Sequence, residues 1–210
     1  MTHTDMIAKI CTAAPVIPVL TIDRVQDAQP LARALVAGGL PALEITLRTD
    51  AAMDAIAAVA EVEGAMAGVG TLLTTAQIRD AKSAGATFGV SPGATDSIIK
   101  AAQDYDLPLL PGAATATEAM RLLEQGFVFQ KFFPAEAAGG APALGSMAGP
   151  LPQITFCPTG GVTPENAKTY LTLPNTRCVG GSWIAPKALI DAGDWEQITQ
   201  IARRAADLLE

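Results

Sequence analysis

Residues 37–47, Ala37-Gly38-Gly39-Leu40-Pro41-Ala42-Leu43-Glu44-Ile45-Thr46-Leu47, carry a helix end, a glycine stop and a strand in succession. Upstream, Val25–Ala37 has the apolar spacing of a helix, and glycine after it caps a helix by adopting left-handed backbone. Downstream, Ala42–Leu47 reads as a short strand. The same junction returns as Ala84-Gly85-Ala86 and Glu124-Gln125-Gly126. Gly39 and Gly85 stand 46 residues apart, Gly85 and Gly126 41 apart, each step the length of two strand–helix units.

Outward from these junctions the alternation runs the whole chain. Strands are predicted at Val16–Thr21, Ala42–Leu47, Ala65–Gly70, Thr87–Ser91, Leu107–Pro111, Phe127–Phe132, Gln153–Cys157 and Arg177–Gly180. Helices are predicted at Val25–Ala37, Ala51–Val62, Thr75–Ala84, Thr95–Tyr105, Thr117–Glu124, Ala141–Ala148, Pro164–Leu171 and Trp195–Leu209. Eight strands in 210 residues leave about 26 per unit, enough for a compact (β/α)8 barrel. The expectation is an α/β fold, a single-domain barrel of the TIM type over residues 1–210 with an N-terminal helix. A doubly wound open sheet is the alternative, because periodicity does not close a barrel. No GxGxxG follows the first strand, and no linker or composition shift marks a second domain.

Composition narrows the function. Half the residues are hydrophobic and 17% are charged, which excludes a disordered chain. Aromatics make up only 5%, so Ala, Val, Leu and Ile must fill the core. Fourteen basic against 21 acidic residues give a net charge of −7, no footprint for nucleic acid or an anionic membrane. Cys11, Cys157 and Cys178 are odd in number and lack CxxC spacing, which suits a reducing, cytoplasmic setting. His3 is the one histidine, expected near a frayed terminus, so no Cys/His cluster exists for a transition metal. Asp5 and Lys9 interrupt residues 1–14, leaving no signal-peptide core. The uncharged run 137–164 is broken by Pro142, Pro150, Pro152 and Pro158, which argues against a spanning helix.

Polar residues that need explaining gather at the C-terminal ends of the strands, the face where barrel enzymes work. Of six lysines, only Lys131 falls in a strand, within Phe127-Val128-Phe129-Gln130-Lys131-Phe132-Phe133. It reads either as a strand-end lysine reaching water or as a Schiff-base lysine whose ammonium the aromatic surroundings disfavour. Glu44 is unusual among the acids in lying inside a strand. Alternation puts Glu44, Thr46 and Arg48 on one face, either as a buried Glu–Arg staple or as a proton-shuttling carboxylate beside an anion clamp. Gly68-Val69-Gly70-Thr71 ends the third strand and allows close backbone approach. Ser91-Pro92-Gly93 and Leu110-Pro111-Gly112 read as turns. Phe156-Cys157-Pro158-Thr159-Gly160-Gly161 runs into Thr163-Pro164, an N-cap with proline at the first helical position. Val179-Gly180-Gly181-Ser182-Trp183 ends the eighth strand. Paired glycine loops after strands seven and eight are where barrels often hold phosphate. Cys157 is expected as a small core residue, since no histidine can activate it.

These motifs, in this order from about Pro15 to Asp194, resemble the 2-keto-3-deoxy-6-phosphogluconate (KDPG) aldolase family, which includes the 4-hydroxy-2-oxoglutarate (KHG) aldolases. The resemblance rests on Leu43–Thr49, Lys131-Phe132-Phe133-Pro134-Ala135-Glu136, Phe156–Gly161 and Gly180-Gly181-Ser182-Trp183. It implies a cofactor-free class I aldolase, a homotrimer of barrels in Entner–Doudoroff carbohydrate metabolism, acting on a small keto-acid phosphate. By that resemblance Lys131 forms the Schiff base and Glu44 shuttles protons. Arg48 and Thr71 would hold the pyruvate carboxylate, Pro92 and Phe133 would line the pocket, and Thr159 would contact the aldehyde portion. Gly160, Gly161, Gly181 and Ser182 would bind phosphate. The chain departs from the family pattern at Val69, where alanine is common, and at Ala113-Ala114-Thr115-Ala116, in place of an Ile-Ser-Thr-Pro-like run. Other readings stay open: an epimerase or isomerase barrel using Glu44 as base with Lys131 only an electrostatic aid, an aldolase for the galactonate epimer, and a non-enzymatic ligand-binding barrel, against which the cluster of strand-borne Lys, Glu and Arg argues.

Overall fold

Local chemistry sets the element ends. The computed structural model describes residues 2–209. Helix α1 (His3–Thr12) starts on a capping box in which Thr2 and Asp5 exchange hydrogen bonds. There follow β1 (Val16–Leu20), α2 (Val25–Ala37), β2 (Ala42–Thr46), α3 (Ala52–Ala60), β3 (Met66–Gly70) and α4 (Thr75–Ser83). The middle of the chain holds β4 (Phe88–Val90), α5 (Asp96–Asp104), β5 (Leu109–Leu110), β6 (Gly112–Ala113), α6 (Ala116–Glu124) and β7 (Phe129–Phe132). The last elements are α7 (Gly140–Ser146), β8 (Thr155–Pro158), α8 (Pro164–Leu171), β9 (Val179–Gly181), α9 (Lys187–Ala192) and α10 (Trp195–Ala206).

The expected glycine junctions are helix stops. Gly39, Gly85 and Gly126 take φ of +90°, +95° and +89°. After them the N–H of Leu40, Ala86 and Phe127 returns to the carbonyl five residues back, at 3.0 Å in each case. A fourth junction does the same with Asp106 at φ +50° and Leu107 bonding Ala102 at 2.9 Å.

Every strand pairing is parallel, as the alternation requires. One sheet has the order β5-β4-β3-β2-β1-β9 and the other β6-β7-β8. Among the described residues there are nine strands in two sheets, one strand more than the eight expected. Pro111 has no N–H to donate, and the predicted strand Leu107–Pro111 ends there; beyond it Gly112–Ala113, expected as a turn, form a further short strand, β5 pairing with β4 and β6 with β7. Isolated bridges Phe156–Thr176 and Thr159–Gly180 connect the β8 side to the β9 side.

Two apolar clusters result. Residues such as Leu31, Leu35, Ile45, Ile56 and Val69 fill the space between helices and sheet. Ile17, Ala42, Phe88, Val90, Leu110, Cys157 and Cys178 form an inner cluster, closed from below by Ile7, Ile10 and Cys11 of α1. Here the terminus departs from expectation. His3 is not frayed: it sits in α1, its Nε2 2.7 Å from Asp106 Oδ1. No described helix is long and apolar enough to cross a membrane.

Candidate active site

Buried polar side chains on β2 and β7 form a layer beside the glycines of β3. Lys131 is 5% exposed and Glu44 3%, and Lys131 Nζ lies 3.2 Å from Glu44 Oε1. The two residues come from β7 and β2 and meet across the interior. The ammonium also stands 5.3 Å from the centroid of the Phe133 ring, within cation–π range. Room for the carboxylate comes from Gly70: a Cβ there would fall 2.6 Å from Glu44 Cγ and 2.9 Å from its Cδ. Gly68 yields the space below to the Phe88 ring in the same way. The two glycines of the third strand are thus the hollow into which the reactive layer fits.

Glu44 does not pair with Arg48, which corrects the alternation argument. β2 ends at Thr46, and the Arg48 N–H folds back to the Thr46 carbonyl at 2.8 Å. The turn carries Arg48 out of the strand face to an exposed position, where it makes no ion pair among the described residues. Thr71, directly after Gly70, has φ +63°, an uncommon conformation for a β-branched residue. Flanking bonds hold it there, Leu47 N–H to the Gly70 carbonyl at 3.0 Å and Leu72 N–H to the Val90 carbonyl at 3.2 Å. Strain of this kind, on the order of 1–3 kcal/mol, tends to mark functional sites.

Pro92 and Phe133 line a cavity of about 240 Å³ together with Asp96 and Ile99 of α5 and Glu118 and Arg121 of α6, and Lys131, Glu44, Arg48 and Thr71 are not among its walls. Thr159 is buried, its side chain lying over Gly180, where any Cβ would collide with it. Gly160 and Gly161 take φ of +100° and +78° before Thr163 caps α8 and Pro164 opens it, as expected. Asn166 Nδ2 donates to the Gly161 carbonyl at 3.1 Å, and Asn166 Oδ1 accepts from Thr163 N–H at 2.8 Å. Behind this loop Tyr170 donates to Glu136, and burial together with that bond pushes the tyrosine hydroxyl upward in pKa. Gly181 is overlain by the Trp183 ring, and Ser182 is exposed at the rim. The glycine loops after β8 and β9 are neighbours through the Thr159–Gly180 bridge. No cluster of three His, Cys, Asp or Glu side chains suited to a metal exists among the described residues.

A buried lysine against a carboxylate, with two glycine loops beside it, is the arrangement that known proteins put in context. Residues 7–201 match the family described as aldolase: KDPG and KHG aldolase. The chain belongs to that family. It is 48% identical over 197 residues to the 2-dehydro-3-deoxy-phosphogluconate aldolase of Pseudoalteromonas atlantica, covering 93% of this chain and 92% of that one. Its fold matches the 2-keto-3-deoxy-6-phosphogluconate aldolase of Zymomonas mobilis solved with 3-phosphoglycerate, at a TM-score of 0.92 and 46% identity, over 99% and 97% of the two chains. It also matches the KDPG aldolase of Legionella pneumophila, which was captured with pyruvate as a covalent carbinolamine, at a TM-score of 0.91 and 44% identity over 94% and 96%. For this KDPG/KHG family member, the sequence reading named both partners of the buried pair but not their pairing. Strand alternation works within one strand, whereas Lys131 and Glu44 are 87 residues apart.

Proposed function

We propose that the protein is a class I aldolase that reversibly cleaves 2-keto-3-deoxy-6-phosphogluconate to pyruvate and glyceraldehyde 3-phosphate, through a Schiff base on Lys131. The observation that carries this is the Lys131–Glu44 pair, 3.2 Å apart and nearly excluded from water. A buried pair adds little net stability against its desolvation cost, which favours a chemical use. Lys131, as the neutral amine, attacks C2 of the keto acid, and loss of water gives an iminium. Glu44 takes the proton of the C4 hydroxyl while the C3–C4 bond breaks, its electron pair flowing into the iminium. Glyceraldehyde 3-phosphate departs, Glu44 returns the proton to C3 of the enamine, and hydrolysis frees pyruvate and Lys131.

The other assignments follow the path of the substrate. Arg48 and Thr71 bind the pyruvate carboxylate, Pro92 and Phe133 wall the pocket, and Thr159 meets the aldehyde half. Gly160, Gly161, Gly181 and Ser182 hold the phosphate on backbone and hydroxyl donors. Cleavage of 4-hydroxy-2-oxoglutarate is the second activity, supported by the family's dual description. Closure of the two sheets into one (β/α)8 barrel is part of the same reading. It is supported by the partner exchange around Pro111 and by the two isolated bridges, Phe156–Thr176 and Thr159–Gly180, that run from the β8 side to the β9 side. We read residues 1–210 as one such domain, acting in the cytoplasm as a homotrimer.

Borohydride added with pyruvate tests the mechanism. Activity should fall as one peptide gains a reduced three-carbon adduct, placed on Lys131 by mass spectrometry and absent in Lys131→Ala. An adduct on Lys82 or Lys100, or none, overturns the Schiff-base assignment.

A further inference from the structure

Thr21 follows β1 at the open, C-terminal end of the sheet and is exposed. Its side-chain hydroxyl lies 3.3 Å from that of Thr46. Thr46 is fully buried and its one hydroxyl proton is given to the Leu20 carbonyl at 2.8 Å. The proton between the two threonines therefore belongs to Thr21, and the contact is long for a hydroxyl pair. Among the described residues no other hydrogen bond uses the exposed Thr21 hydroxyl, so its lone pairs are unclaimed. The backbone beneath is gripped on either side, Thr46 holding the carbonyl of Leu20 and Thr49 that of Ile22 at 2.6 Å. Two side chains of the β2 end thus fix one exposed acceptor.

Position gives the acceptor a target. β1 lies between β2, which bears Glu44, and β9, which leads into Gly181 and Ser182. Pairing sets Val19 beside Glu44 and Pro18 beside Gly181, so Thr21 stands one layer above the carboxylate and next to the second glycine loop. A six-carbon substrate attached at C2 to Lys131, with its C4 oxygen at Glu44 and its phosphate at the loops, must carry its C5 hydroxyl across this stretch. We propose that Thr21 accepts a hydrogen bond from the C5 hydroxyl of the sugar acid, the hydroxyl at C2 of the glyceraldehyde 3-phosphate product. Thr21 thereby selects aldehydes bearing a hydroxyl beside the carbonyl. The assignment rests on the aldolase reading above and adds a residue to it.

The test runs the reaction toward condensation, with pyruvate and either glyceraldehyde 3-phosphate or 3-oxopropyl phosphate, which keeps the phosphate and lacks the hydroxyl. Thr21→Val preserves the β-branched shape and removes the acceptor. With glyceraldehyde 3-phosphate its kcat/KM should fall roughly 2- to 12-fold, the range for one net neutral hydrogen bond. With the deoxy aldehyde the change should stay under about 2-fold. Thr21→Ser should recover most of the loss, and borohydride trapping of pyruvate should be equal in all three proteins. Equal losses on both aldehydes would make Thr21 a structural residue and overturn the proposal, as would no loss on either. A wild type that condenses neither aldehyde would overturn the aldolase reading and this assignment with it, a result distinct from active enzyme indifferent to Thr21.

Discussion

Gly70 shows how much of the reactive layer depends on an atom that is missing. A methyl group there would sit 2.6 Å from Glu44 Cγ, and real Cβ atoms do not come that close. Gly70→Ala should push the carboxylate off Lys131, with kcat falling by roughly 10²–10⁴, the usual worth of a positioned acid–base group. Overpacking should also lower stability by about 1–3 kcal/mol. Steady-state kinetics with a denaturant melt checks both, and full activity in the variant would mean that Glu44 works from another position. Lys131 and Glu44 were legible because charge inside an apolar strand is rare, and a rare placement asks for a reason. Arg48 was legible as a residue but not as a placement. Its alternation face held only while β2 continued, and the turn at Thr46 ended that. Thr21 gave no signal at all, since a threonine at a strand end is ordinary until the neighbours that hold it are known.

Among the elements, the loops after β8 and β9 carry the clearest division of labour. Their donors lie away from the bond being broken, so their contribution should register mainly with phosphorylated substrates. Ser182→Ala removes one hydroxyl donor to a dianion, a bond worth about 1.5–3 kcal/mol. The expected loss in kcat/KM for the phosphorylated sugar acid is roughly 10- to 150-fold. Hydroxy-oxoglutarate has no phosphate and should be cleaved nearly as well as by wild type. Equal losses on both would move the phosphate site elsewhere. The helix stops were readable wherever glycine marked them, at Gly39, Gly85 and Gly126. The stop at Asp106 was not, because aspartate is merely tolerated in left-handed backbone and is common in other places. Pro111 was visible to the eye. The short strand after it was not, because Gly112 and Ala113 become a strand only by pairing with β7, a partner the local sequence does not name.

At the scale of the molecule, the alternating pattern made the parallel α/β fold legible, whereas the seating of α1 was beyond it. Three thiols record that seating. Cys11 on α1, Cys157 on β8 and Cys178 just ahead of β9 are all buried and unpaired by disulfides. Hydrogen bonds to Cys11 and Cys157, then burial, raise the Cys178 thiol well above its ordinary pKa. Alkylation and disulfide exchange require the thiolate and access to it. Ellman's reagent at pH 8 should therefore find none of the three within minutes in the native protein and all three in guanidinium. Rapid reaction of even one without denaturant would mean that α1 lifts from its seat.

That seat also bears on how the protein is made. The cluster that α1 covers draws on β1, β2, β4 and β5, but also on Cys157 and Cys178 far down the chain. β1 likewise waits for β9 as one of its two neighbours. At ordinary rates of synthesis, on the order of ten seconds or more separate residue 12 from residue 179. For that interval the growing chain exposes Ile7, Ile10 and Cys11 with nothing finished to cover. α1 is synthesised early and seated late, so a chain stalled short of β9 leaves the apolar residues Ile7, Ile10 and Cys11 uncovered, a mark by which a chaperone or protease can tell it from the completed protein.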